Sequence, residues 1–186
     1  MKFEKIFWDD PINNDLFHNN SCRGLLEGDD GKIYFTAADV FWVFNPETKT
    51  IKSIYQTNNG TSDIIWDEKR QLVWGFEESG LFSYHPQTSR LKIYAAPADF
   101  VVGYVFGLYV FGDHITISNT KGWWVLDIDS GQYHQFNDYG LFPQLSTAEV
   151  YYFFEKEKGE VLVCTNKGVF HWEKEKGITG HYSVLG

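Results

Sequence analysis

The sequence predicts an all-β protein: a β-propeller or partial β-propeller of four four-stranded antiparallel blades, with one extra N-terminal outer strand. Three observations predict it. A unit of about 40 residues recurs four times, and units of that length built from four strands are the signature of a propeller blade. The 186 residues include 16 Phe, 11 Tyr and 7 Trp, large rings that fit half-buried strand faces better than helices. No stretch combines helical periodicity with caps, whereas polar, Gly- or Pro-containing turns separate short apolar runs throughout.

Two markers keep the period. The third strand of each unit ends at Phe44, Tyr84, Leu126 and Trp172, spaced 40, 42 and 46 residues apart, and the fourth ends at Tyr55, Tyr94, Phe136 and Tyr182, spaced 39, 42 and 46. A β-sandwich would share the short strands but has no reason to repeat one hairpin order four times.

In chain order, an extra strand is expected over 1–7, because Phe3-Glu4-Lys5-Ile6-Phe7 resembles the fourth strands Ile51 to Tyr55 and Leu91 to Tyr94. The blades follow at about 21–55, 61–94, 104–136 and 149–182 as one propeller-type repeat domain. First and second strands are joined by Asp29-Asp30-Gly31, Asp67 to Arg70, Gly112-Asp113 and Glu155 to Gly159, polar stretches that reverse a chain. Third and fourth strands are joined by Asn45 to Thr48, His85 to Thr88, Asp127 to Gly131 and Glu173 to Gly177, where Pro presets φ or Gly supplies positive φ. Four blades with an additional outer strand leave three arrangements open: part of a longer propeller, two arcs joined into one ring by self-association, or a ring closed by one chain. Uncovered end faces would expose more apolar surface than proteins usually leave in water.

Charge and cysteine usage bound the partners. Sixteen Lys and Arg against 25 Asp and Glu give a net charge of −9, and no basic cluster stands out, so nucleic acid is not an expected partner. The apolar runs are too short to span a bilayer, so this segment is not expected to insert in a membrane. The opening residues lack the apolar core of a signal peptide. Cys22 and Cys164 fit no metal-ligand spacing, and their pairing stays open.

The segments Trp74 to Tyr84 and Glu155 to Phe170 resemble the two-component regulator propeller repeat: an acidic turn, an apolar strand, a Gly-started third strand and a closing aromatic. The third unit keeps the Asp127-x-x-Ser130-Gly131 turn, while Thr36-Ala37-Ala38-Asp39 lacks the expected Gly, and Ser118 and Cys164 stand where that repeat commonly has Gly. The resemblance implies a sensor region of a bacterial hybrid two-component system in a periplasmic or extracytoplasmic setting. It also implies a small-molecule or glycan ligand.

No catalytic motif is present: no HExxH, GxSxG, Walker loop or GxGxxG following a strand. The expected protein is therefore no enzyme, and neither cofactor nor metal is expected. Asp127 and Asp129 are read as turn formers rather than cation ligands. Binding is expected in loops running from the fourth strand to the next first strand and from second to third strands, all at one end of the blades. Trp8, Phe76, Phe100 and Tyr139 are candidates to stack on sugar rings, and Glu77, Asn119 and Asn166 to bind hydroxyls. Each ring has a competing role, packing beneath its own loop. Trp42, Trp74, Trp123, Trp124 and Trp172 lie in strands and are expected in the core. The rival functions are a protein-protein interaction scaffold and a propeller lyase or hydrolase.

Overall fold

A computed structural model describes residues 22–57, 63–100, 105–119, 122–135, 148–157, 160–173 and 176–183. The strand expected over 1–7 lies outside them. Among the described residues sixteen strands form four four-stranded antiparallel sheets, each paired in chain order. The fold is that of propeller blades. The chain divides into two compact units, Met1–Ala95 and Ala96–Gly186, each carrying two blades.

In the first unit, blade 1 consists of β1 (Cys22–Glu27), β2 (Ile33–Ala37), β3 (Val40–Asn45) and β4 (Thr50–Gln56); blade 2 consists of β5 (Ile64–Asp67), β6 (Leu72–Glu77), β7 (Gly80–His85) and β8 (Arg90–Ala95). The middle strands β2, β3, β6 and β7 read as nearly continuous apolar runs because both their faces are covered. The edge strands β1 and β4 alternate and are largely exposed. Tyr34, Phe41, Val73, Phe82 and Tyr84 form the core between these two blades. Phe41 lies 5.2 Å from Phe82 and edge-on to Tyr84 at 5.7 Å. Gly75 pairs with Phe82, and a Cβ placed on it would come within 2.2 Å of the Phe82 ring, so only glycine lets this ring lie flat on the strand.

In the second unit, blade 3 consists of β9 (Val105–Phe111), β10 (His114–Asn119), β11 (Gly122–Asp127) and β12 (Tyr133–Gln135); blade 4 consists of β13 (Val150–Glu157), β14 (Glu160–Thr165), β15 (Gly168–Glu173) and β16 (Gly177–Tyr182). Tyr109 stacks on Phe153 at 5.3 Å, and Phe111 meets Trp172 edge-on at 4.4 Å, so this blade pair is also sealed by rings. Trp42, Trp74, Trp124 and Trp172 are all buried, as expected of strand tryptophans.

The turn between third and fourth strands recurs with one backbone signature. Its fifth position adopts positive φ in every blade: Lys49 at 54°, Ser89 at 53°, Gly131 at 71° and Gly177 at 75°. Blades 3 and 4 meet this demand with glycine, while blades 1 and 2 place an L side chain there. In blade 3 the Asp127 carboxylate accepts from the Ser130 amide and hydroxyl, both at 2.7 Å, and the Asp127 carbonyl accepts from Gly131 N at 2.8 Å. Asp127 therefore serves as a turn former. These bonds, the Ser130 amide first, hold its carboxyl below the usual aspartate range.

Two expectations about turns need correction. Part of the turn foreseen over Glu155 to Gly159 is strand, because β13 continues to Glu157 with Glu155 opposite Val161 and Glu157 opposite Glu160. The segments expected as loops between second and third strands are tight connections: Ala38 and Asp39 join β2 to β3, Glu78 and Ser79 join β6 to β7, and Asn166 and Lys167 join β14 to β15. Thr36, Phe76, Glu77 and Thr165 belong to the strands beside them, where their amides and carbonyls are used in the sheets.

Candidate functional site

Turns between second and third strands emerge at one end of a blade, as do connections from its fourth strand to the next blade; the remaining turns emerge at the opposite end. Trp8 and Tyr139, both expected at the first end, lie outside the described residues. Asn119 ends β10, within the described backbone.

Phe76 is 3% exposed and Phe100 is 7% exposed. The Phe100 ring lies 4.9 Å from Trp124 and 5.7 Å from Tyr133, and its amide donates to the Pro97 carbonyl at 2.9 Å. Both rings are thus engaged in packing and present no open face for stacking, the role the sequence held against ligand binding for each aromatic. Asn166 is exposed, but its side chain is used locally. Its Oδ1 accepts from Glu149 N at 3.1 Å, and its own amide donates to the Glu149 carbonyl at 3.1 Å, clipping the β14–β15 turn to the residue just before β13.

Glu77 is the unusual member of the set. At the end of β6 it is 1% exposed, although carboxylates are seldom buried unless paired. The Tyr55 hydroxyl, from the end of β4, lies 3.1 Å from both carboxylate oxygens, and the Ser79 hydroxyl donates to Oε1. Burial, and after it the Glu77 carboxylate, push the Tyr55 phenol above its ordinary value. A hydroxyl held protonated in this way remains a donor, so the contact works as a latch between the outer strand of blade 1 and the β6–β7 turn of blade 2. Nearby, Asp39 O accepts from Thr57 N at 2.8 Å, Thr57 Oγ1 at 2.7 Å and Gln56 Nε2 at 3.0 Å, fixing where the chain leaves β4.

A cleft opens at the opposite end of the first unit, where sequence reasoning placed no site. It is lined by Asp29 and Asp30 from the β1–β2 turn, Trp66 of β5, Gln71 from the β5–β6 turn, and Pro86 and Gln87 from the β7–β8 turn. The signal available in the sequence was Asp29-Asp30 in a turn with Trp66 on a first strand, but nothing local tells that they meet. Beneath it, Asp67 is 2% exposed and accepts from Arg70 N and Arg70 Nη1 at 3.1 Å and from Trp74 Nε1 at 3.3 Å. This buried carboxylate anchors the β5–β6 turn and with it one wall of the cleft. No group of three or more His, Cys, Asp or Glu placed to hold a metal ion occurs among the described residues. Both cysteines are free, Cys22 exposed and Cys164 half-buried.

No protein-family model and no curated protein matches the chain. Solved structures do. The extracellular domain assigned to a hybrid two-component system of B. thetaiotaomicron superimposes with a TM-score of 0.63 at 17% identity, over 90% of this chain and 25% of that one. A second such domain from the same organism gives 0.64 at 14% identity, over 79% of this chain and 20% of the other. The computationally designed Ika4 protein gives 0.59 at 14% identity, over 93% of this chain and 99% of its own. The chain thus spans a quarter or less of the two extracellular domains but matches a designed chain along nearly its whole length. At these identities the likeness is one of fold.

Proposed function

We propose that this chain is a non-catalytic ligand-binding propeller module, part of an extracytoplasmic sensor of the two-component type, with a small molecule or glycan as its ligand. The observation that carries the reading is the likeness over 90% of the chain to an extracellular domain assigned to a hybrid two-component system. The blade architecture supports it. Sheets sealed by rings and turns pinned by local hydrogen bonds make a stiff scaffold, and a stiff scaffold is what presents variable loops for recognition. Since Phe76, Phe100 and Glu77 are engaged in packing and Asn166 in a turn clip, recognition falls to the longer connections between blades.

A thermal-shift screen against neutral and acidic oligosaccharides tests the proposal. A ligand at a hundredfold excess over its Kd stabilises the native state by about 2.7 kcal/mol, which raises Tm by roughly 5–10 °C in a chain of this size. A shift of that order, confirmed by calorimetric titration, supports the sensor. Failure of every glycan, together with a stable complex with another protein, overturns it in favour of an interaction scaffold.

A further inference from the structure

One face of the blade 4 sheet packs against blade 3, with Phe153, Val163, Phe170 and Trp172 in a shared core with Val125. On the other face, cross-strand pairing sets Tyr152 beside Cys164, Phe154 beside Leu162, and Val169 between Cys164 and Tyr182. Tyr152, Phe154 and Tyr182 are 59%, 53% and 63% exposed, and Leu162, Cys164 and Val169 are half-buried. The strand registers give the equivalents of Leu162, Cys164 and Val169 in the first two blades: Tyr34, Thr36 and Phe41 in blade 1, and Trp74, Phe76 and Leu81 in blade 2. In blade 3, Thr116 and Ser118 stand where Leu162 and Cys164 do. All of these are at most 3% exposed. Positions that are buried in every other blade are thus open on blade 4. A four-stranded face with strands of six residues measures about 19 by 20 Å, roughly 380 Å², and an apolar patch of a few hundred Å² marks an interaction surface.

We propose that this face is covered by the same face of a second copy of the chain, the two related by a two-fold axis. Such an interface must be self-complementary, and this face carries both halves of the fit. Tyr152 and Phe154 stand up from the first strand, while Leu162, Cys164 and Val169 make a lower trough along the two middle strands. A two-fold axis along the strands sets the two rings of each copy into the trough of the other. Charge does not oppose the contact locally. Glu160, on the same face, has His171 Nε2 at 3.4 Å and Lys156 Nζ at 3.7 Å, so the net charge of −9 is not concentrated here. The association stops at two copies. On blade 1 the face turned away from blade 2 is occupied, with Ala37, Val40 and Trp42 buried, so it offers no landing for the blade 4 of another chain. Two faces of this size bury less than the roughly 1,200 Å² at which stable interfaces begin, which points to a reversible dimer with a Kd on the order of 10 μM. This contact needs no glycan and is independent of the ligand reading.

The test is sedimentation equilibrium of the full chain over a concentration series, at about 0.15 M salt so that repulsion between acidic chains is screened. The mass is expected to rise from that of one chain to that of two and no further. Phe154→Lys places an unpaired ammonium in the interface from each copy and is expected to raise Kd at least tenfold, whereas Ile93→Lys, at an exposed position on β8, leaves it unchanged. Phe154 is more than half exposed on an edge strand, so the variant keeps the circular dichroism of the parent. A second readout uses the parent alone. Maleimide labelling of Cys164, in the trough, is expected to slow above the Kd, while exposed Cys22 reacts at a constant rate. A chain that stays monomeric up to about 1 mM, a hundredfold above that Kd, overturns the proposal and leaves the face to a blade of another polypeptide. It is equally overturned by growth beyond two copies, by Phe154→Lys dimerising like the parent, or by a Cys164 rate that ignores concentration.

Discussion

Replacing Phe82 by alanine removes a ring that is wholly buried and touches Phe41 at 5.2 Å and Tyr55 at 5.6 Å. Truncating a buried phenylalanine costs about 3–5 kcal/mol, from lost transfer energy plus the cavity left behind. Opposite it, Gly75→Ala drives a methyl to 2.2 Å from the ring's Cζ. The ring must move away from a packed core, at a cost of about 1–3 kcal/mol. The two effects share one volume of space, so they cannot add. Once Phe82 is alanine, the methyl on residue 75 enters the vacated space, and its burial recovers roughly 0.8 kcal/mol instead of costing anything. Urea denaturation of the parent, both single variants and the double variant closes the cycle, with an expected coupling of about 2–4 kcal/mol, at the upper end for residues in contact. Additivity within about 0.5 kcal/mol would refute the account of Gly75 as the glycine required by a ring lying on the strand. It would mean that the Phe82 ring does not lie over residue 75 as closely as that distance indicates.

Three further outcomes follow from the same geometry. Asp67→Ala strips a buried carboxylate from Arg70 and Trp74 and is expected to cost about 2–3 kcal/mol, read by chemical denaturation, with Asp67→Asn intermediate. Lys49→Gly and Ser89→Gly relieve a left-handed backbone, and each is expected to be neutral or stabilising by up to about 1 kcal/mol; Gly131→Ala loses about 1 kcal/mol at the equivalent turn, so thermal melts should set Gly131→Ala apart from the other two. The Asp127 carboxyl titrates below its unfolded value, so its contribution to stability is present above the ordinary aspartate range and fades as pH falls through the native pKa. Acid denaturation of Asp127→Asn should therefore start from a less stable protein and depend less steeply on pH below about 4.

The strands and their order within each blade were legible because hairpin chemistry is local. Asn45-Pro46, His85-Pro86 and the Asp127-x-x-Ser130-Gly131 turn announce themselves within five residues, and the apolar runs between them have no alternative partner as close. The candidate site was far less legible. Glu77 read as a polar loop residue able to bind hydroxyls because a glutamate beside Glu78 and Ser79 is ordinarily exposed. Its burial depends on Tyr55, 22 residues earlier on another blade. Phe100, within a connection, looked free to stack on a ligand, yet Trp124 and Tyr133 take its faces from strands a blade further along.

The sequence by itself determined the four blades, their internal strand order, the net acidic charge and the turns between third and fourth strands, since each depends on composition or on contacts a few residues apart. Only the tertiary structure decided that the Phe76 and Phe100 rings are packed away and which carboxylates are buried, and that Asp29, Trp66, Gln71 and Pro86 meet in one cleft. Those outcomes rest on pairs of residues tens of positions apart, and a side chain's environment is set by whatever a neighbouring strand or blade brings against it.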